Sequence, residues 1–130
     1  MNKELNKELM TIAEEVLQSE NCPLYKAPGV IYESYNGQVS ALGVSVLMIG
    51  LKATLAVYYS DRGNENKAYR KRLLDVIVDM INSKYNTGYA DSAAFVRTVM
   101  SNNDDEELKT RVINCSVALK QVIRTYKMEK

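Results

Sequence analysis

The side chains best equipped for chemistry in this chain are cations, with one run of acids; histidine is absent. Without an imidazole there is no Ser–His–Asp or Cys–His nucleophile and none of the commonest zinc or iron sites. The two cysteines, Cys22 and Cys115, lie far apart and make no metal site without histidine. Cys115 falls on an apolar helical stripe and reads as a small core residue. The N-terminal MNKELNKELM is charged and helical rather than an apolar leader, so a reduced, cytoplasmic protein is expected. Asp104, Asp105, Glu106 and Glu107 are consecutive, so they point all round a helix start instead of converging on an ion. Capping and the helix dipole explain them better than a metal does. The expectation is therefore no catalysis, no metal and no cofactor.

The cations are more suggestive. Net charge is only +1, but residues 1–65 carry five Lys/Arg against eight Asp/Glu, and residues 66–130 carry twelve against eight. Lys67, Arg70 and Lys71 are spaced to share one turn of a helix. Lys109, Lys120, Arg124 and Lys127 avoid the apolar stripe of the last predicted helix, and Lys120, Arg124 and Lys127 are neighbours there. Lys52 stands alone in an apolar stretch. A buried ammonium is costly unless it reaches water or a partner, so Lys52 either snorkels or faces an opening where a phosphate sits. The bland reading of both clusters is a solvated helix face and a basic helix C-terminus suited to the macrodipole.

The elements that hold these residues follow from hydrophobic spacing. Val39–Tyr59, VSALGVSVLMIGLKATLAVYY, has Lys52 as its one charged residue. A helix apolar nearly all round is expected to be buried, so Gln38–Ser60 is read as a central helix, with Gly50 and Gly43 marking a kink or a close approach. A membrane span is disfavoured, because Lys52 near the centre of the stretch costs about 2.5–3.5 kcal/mol. Asn2–Asn21 reads as a two-faced helix stopped by Pro23. Cys22–Gly37 is a connector in which Val30–Tyr35 either begins the next helix or is a short extended piece. Asp61–Asn64 is a turn, and Asn64 caps a helix from Glu65 to about Lys84. A further helix runs from about Asp91 to Ser101, and a last one from an Asn103 cap to about Lys127, with Leu108, Val112, Cys115, Leu119, Val122 and Tyr126 as its stripe. The fold class is all-α: a single domain over residues 1–130, a compact bundle of about five to six helices around a buried central one.

This helix order resembles the small Cmr subunit of type III-B CRISPR RNA-guided effector complexes. The resemblance lies in Tyr35, Val39, Leu42, Ile49-Gly50-Leu51, Ala53, Leu55-Ala56 and Tyr58, and in Leu119, Val122-Ile123-Arg124 and Tyr126 of the last helix. Val122 stands where the family usually has tryptophan, and Thr125 where a second basic residue is common. The resemblance implies an all-helical, non-catalytic subunit with no membrane association. Its copies stack beside one another along the backbone subunit and help line a basic channel holding guide RNA paired to target RNA, for antiviral defence. The candidate RNA-binding residues are Lys52, Lys67, Arg70, Lys71, Lys120, Arg124 and Lys127. Two other classes remain open from the sequence: a helical interaction module that oligomerises without meeting RNA, and a small enzyme using Lys or Tyr as acid and base.

Overall fold

The computed structural model describes residues 1–61 and 69–130. Among them are six helices: α1 (Lys3–Leu17), α2 (Ser34–Ile49), α3 (Leu51–Ser60), α4 (Arg70–Tyr85), α5 (Ser92–Ser101) and α6 (Glu106–Ile123). Three short strands accompany them: β1 (Tyr25–Ala27), β2 (Val30–Tyr32) and β3 (Lys127–Glu129). Three of the helices, α1, α5 and α6, begin where a short polar side chain takes an orphan N–H. The side chain of Asn2 accepts from the Leu5 amide at 2.8 Å, Asp91 from Ala94 at 2.8 Å, and Asp105 from Leu108 at 3.0 Å. The last cap is Asp105, not the expected Asn103. The Asn64 cap lies outside the described residues. Asn86, in the left-handed region at φ 53°, closes α4.

The expected central helix is the largest departure. Residues 38–60 form a helical hairpin, not one rod. Gly50 sits at φ 89°, ψ 168°, a conformation that side chains oppose, and there α2 stops and α3 starts. The arms fold back on each other: Ser45 Oγ lies 2.7 Å from Thr54 Oγ1, and the Tyr58 hydroxyl donates to the Gln38 carbonyl at 2.7 Å. The hairpin is not sheathed on all sides either. Tyr35, Val39, Leu42, Val46, Leu51, Leu55 and Tyr58 are buried, but Val44, Leu47, Met48, Ile49 and Val57 face outward. A Cβ at Gly50 would meet nothing within 4 Å, so that glycine serves a break. At Gly43 a Cβ would lie 3.1 Å from Ser116 Oγ, so that one serves a close approach of α2 to α6.

The central position belongs to α4. It touches each of the other five helices, and Leu73, Leu74, Val76, Ile77, Val78, Met80 and Ile81 are all buried. Its charges sit at its ends or on the strip of Asp75 and Asp79, which leaves the middle apolar nearly all round. α6 packs against α1 on one side and α2 on the other, burying Leu108, Val112, Cys115, Leu119 and Val122.

The connector resolves into sheet. β1 pairs antiparallel with β2, and β2 pairs parallel with β3, setting Val30 opposite Lys127 and Tyr32 opposite Glu129. Val30–Tyr32 is thus extended, and α6 ends at Ile123 instead of reaching Lys127.

Candidate nucleic-acid interface

Three arginines lie around the start of α2 and the end of α3. The Tyr35 hydroxyl donates to the Tyr69 carbonyl at 3.4 Å, which holds the start of α4 against α2. Arg70 follows Tyr69; its backbone N–H and its guanidinium both reach Asp61 Oδ2, at 3.2 and 3.0 Å, and its guanidinium carbon lies 5.8 Å from the Tyr58 ring centre. The Arg72 guanidinium stacks over the Tyr69 ring at 4.3 Å. From the far end of α6, Arg124 Nε donates to Asn36 Oδ1 at 3.4 Å. Arg70, Arg72 and Arg124 therefore lie toward one end of the bundle, each with its own partner, although they come from the two ends of the α4–α6 segment.

Burial and neighbouring groups shift Tyr35, Tyr58 and Arg72 at this end. Burial pushes the Tyr35 phenol up to about 12, although the nearby Arg72 works against that rise. Burial likewise raises Tyr58, with Arg70 opposing. At Arg72 burial disfavours the cation, but Tyr69 and Tyr35 more than offset it and the net shift is upward. Arg70 and Arg72 thus each lie over an aromatic ring, while Arg124 is held through Asn36.

The remaining candidates divide. Lys71 Nζ pairs with Asp75 Oδ2 at 3.3 Å, while the Ser92 hydroxyl donates to the other Asp75 oxygen. Lys120 is half-buried one turn before Arg124. Lys127 is exposed, but on β3 rather than on a helix, with its amine 3.3 Å from Glu129. Lys67 lies outside the described residues. Lys52 is placed apart from all of these. It sits in the first turn of α3 beside the start of α6, where Asp104, Asp105, Glu106 and Lys109 share a hollow of about 250 Å³ with it. Lys52 follows the far end of α2, whose 16 residues at 1.5 Å each span roughly 24 Å, so it stands away from Asn36 and Arg124 at the start of that helix. The lining of that hollow mixes acids with Lys109.

The acids at the start of α6 diverge. Asp105 caps, Glu106 lies 3.9 Å from Lys109, and Glu107 pairs with Arg111. Both thiols are buried, and burial raises Cys115 to about 12, far from a reactive thiolate. Among the described residues no helix is long and apolar enough to cross a membrane.

The model of the CRISPR-associated protein family Cas_Cmr5 matches residues 12–125, from the middle of α1 to just beyond α6. The chain belongs to the Cas_Cmr5 family. It is a small Cmr-type subunit of type III-B CRISPR complexes, as the resemblance in the central and closing segments implied. No curated protein and no solved structure matches it significantly. Tyr35, Val39, Leu42 and Tyr58, which carry much of that resemblance, are core residues of the α2–α3 hairpin, so they report fold and not an RNA contact.

Two cations at the basic end carry weaker sequence signals. Arg72 follows Arg70 and Lys71 directly, and its spacing of three from Tyr69 is the signal for an arginine laid on a ring. Lys26 is brought in by β1, where it pairs with Glu129 of β3; no local pattern points to it.

Proposed function

We propose that this Cmr subunit helps to hold guide RNA and target RNA along the effector complex, as a non-catalytic component of antiviral defence. The observation that carries the reading is the placement of Arg70, Arg72 and Arg124 around the start of α2 and the end of α3. Phosphate tracking along an RNA duplex needs fixed cations at backbone spacing and no base-reading code. Arginine on an aromatic floor suits that task, since it stays charged and presents a planar fork of donors. Lys120, one turn before Arg124, extends it, while the Lys71 amine is taken by Asp75. Lys52, beside the start of α6, is not part of this surface. The partners in this reading are the paired RNAs and the other Cmr subunits, including the backbone subunit and further copies of this chain.

The test is charge reversal at Arg70 and Arg124 inside the assembled complex, with target-RNA affinity measured across a salt series. For every phosphate that loses its arginine, the slope of log K against log salt should fall by about one. Unchanged affinity and unchanged slope in the double variant would defeat the proposal.

A further inference from the structure

Between the α1–β1 connector, the β1–β2 turn and the start of α4 lies an open hollow of about 500 Å³, a size in the range of small-ligand sites. Two cations line it, Arg72 from α4 and Lys26 from β1. Arg72 lies over the Tyr69 ring and beside the Tyr35 phenol, and among the described residues no carboxylate pairs with it. Its charge is therefore left for something else to meet. Lys26 Nζ donates to the Lys130 carbonyl at 2.5 Å and lies 3.8 Å from Glu129, but Glu129 is also 3.3 Å from the Lys127 amine. One carboxylate shared by two ammonium groups leaves that corner positive, and an ammonium with three donors has N–H to spare. The acid in the lining is Glu20, which is exposed. The Cys22 thiol beside it is buried, and burial pushes its pKa up, so it adds no negative charge.

The rest of the lining is not what a bare anion needs. Pro23 and Pro28 supply carbon surface, and so does Tyr25, whose hydroxyl already donates to the Leu17 carbonyl. Asn21 is exposed, and its side-chain amide makes no hydrogen bond within the described chain, so a donor and an acceptor stand free side by side. A phosphate joined to a flat ring with a polar edge uses all three kinds of group at once. The cations take the phosphate, the carbon walls take the ring face, and the amide takes the ring edge.

We propose that this hollow seats one unpaired nucleotide, its phosphate on Arg72 and Lys26 and its base among Pro23, Tyr25 and Pro28 with Asn21 at the edge. A base inside a duplex is stacked and cannot enter, so the nucleotide is either free or part of a single strand. The proposal shares Arg72 with the RNA reading above but requires neither a duplex nor Arg70 and Arg124.

Calorimetric titration of the full chain with uridine monophosphate, adenosine monophosphate, a short uridine strand and inorganic phosphate tests it. A nucleotide should bind saturably and about tenfold or more tighter than inorganic phosphate, because the base adds its own contact. Arg72→Gln and Lys26→Gln should each weaken that binding by about tenfold, and Glu20→Gln should strengthen it. For the strand, Arg72→Gln should also lower the slope of log K against log salt by about 0.7. Arg97→Gln removes an exposed arginine of α5 outside the hollow and should bind as wild type. Retention of the native melting temperature checks folding, and Lys26→Gln, on the exposed side of β1, carries the test if Arg72→Gln does not fold. A strand that binds more tightly than the mononucleotides supports the proposal with RNA as the source; equal affinity supports it with a free nucleotide. Inorganic phosphate binding as tightly as the nucleotides would overturn it, as would no saturable binding of any probe, or unchanged affinity in both Arg72→Gln and Lys26→Gln. The RNA reading can fail through Arg70 and Arg124 in the assembled complex while a mononucleotide still binds here, and the converse also holds.

Discussion

Replacing Gly50 by alanine distinguishes a broken α2–α3 from a continuous helix by the sign of the stability change. At φ 89°, ψ 168° the backbone occupies a region nearly reserved for glycine, and forcing a side chain to hold it costs about 1–3 kcal/mol. A Cβ there would meet no atom within 4 Å, so no clash adds to the strain. Alanine also narrows the unfolded ensemble, which returns about 0.4–1 kcal/mol. The net expectation is a loss of about 1–2 kcal/mol, or a fall in Tm of roughly 3–8 °C for a domain of this size. In an unbroken helix the same substitution would raise stability by about 1 kcal/mol, because alanine outranks glycine in a helix interior. Urea denaturation followed by circular dichroism, with the slope m checked for constancy, measures the change. A Gly50→Ala protein that melts higher than wild type would refute the hairpin and, with it, the geometry of the outward apolar face. Gly43→Ala serves as the companion measurement. There the backbone is helical and the added methyl would press on Ser116 Oγ at 3.1 Å, so the propensity gain is opposed by packing and not by backbone strain.

Asp105→Ala removes the cap from the Leu108 amide and should cost about 1 kcal/mol in the same denaturation assay, whereas Asn103→Ala should cost almost nothing. Phe95 is fully buried, edge-on to Tyr89 with ring centres 5.0 Å apart, and Phe95→Ala should destabilise by about 3–5 kcal/mol. Tyr35 titrates near 12 in the fold against 10 in the unfolded chain, so above pH 10 the unfolded state loses its proton first and stability falls as pH rises toward 12. Tyr35→Phe should flatten that fall in denaturation curves recorded from pH 9 to 12. The residual slope belongs to other buried acids, Cys115 among them, which titrates near 12 against 9 for a free thiol.

Most helices are legible in the sequence because their signals are local. The spacing of Leu9, Ile12, Ala13 and Leu17 sets the buried side of α1, and Asp91 and the acids near 105 mark two helix starts. The centre of the bundle is not legible in the same way, because hydropathy summed along a segment does not say which side of it faces inward. The α2–α3 stretch is apolar on both sides and spends one side on an outward face. α4 keeps its charges at its ends and along one strip, and so hides a core helix within a polar-looking sequence. β3 cannot be read from residues 127–129, since its partner is β2, nearly the whole chain away, and one parallel pairing leaves no periodic trace. At the site, helical spacing points to Arg70 and Arg124. Their approach depends on Tyr35 and Asn36 in the first turn of α2; Tyr35 stands out only through the family resemblance, and Asn36 carries no signal of its own.

The parallel pairing of β2 with β3 also bears on how the protein is made. While the ribosome is still extending the chain, β1 and β2 can form their hairpin early, but one edge of β2 has no neighbour until residues 127–129 are made. Throughout that interval Val30–Tyr32 offers unpaired backbone to any other nascent strand, the usual starting point for misassociation. The brevity of the strands, with Lys26 and Pro28 on the opposite flank, limits how far such a wrong pairing could extend.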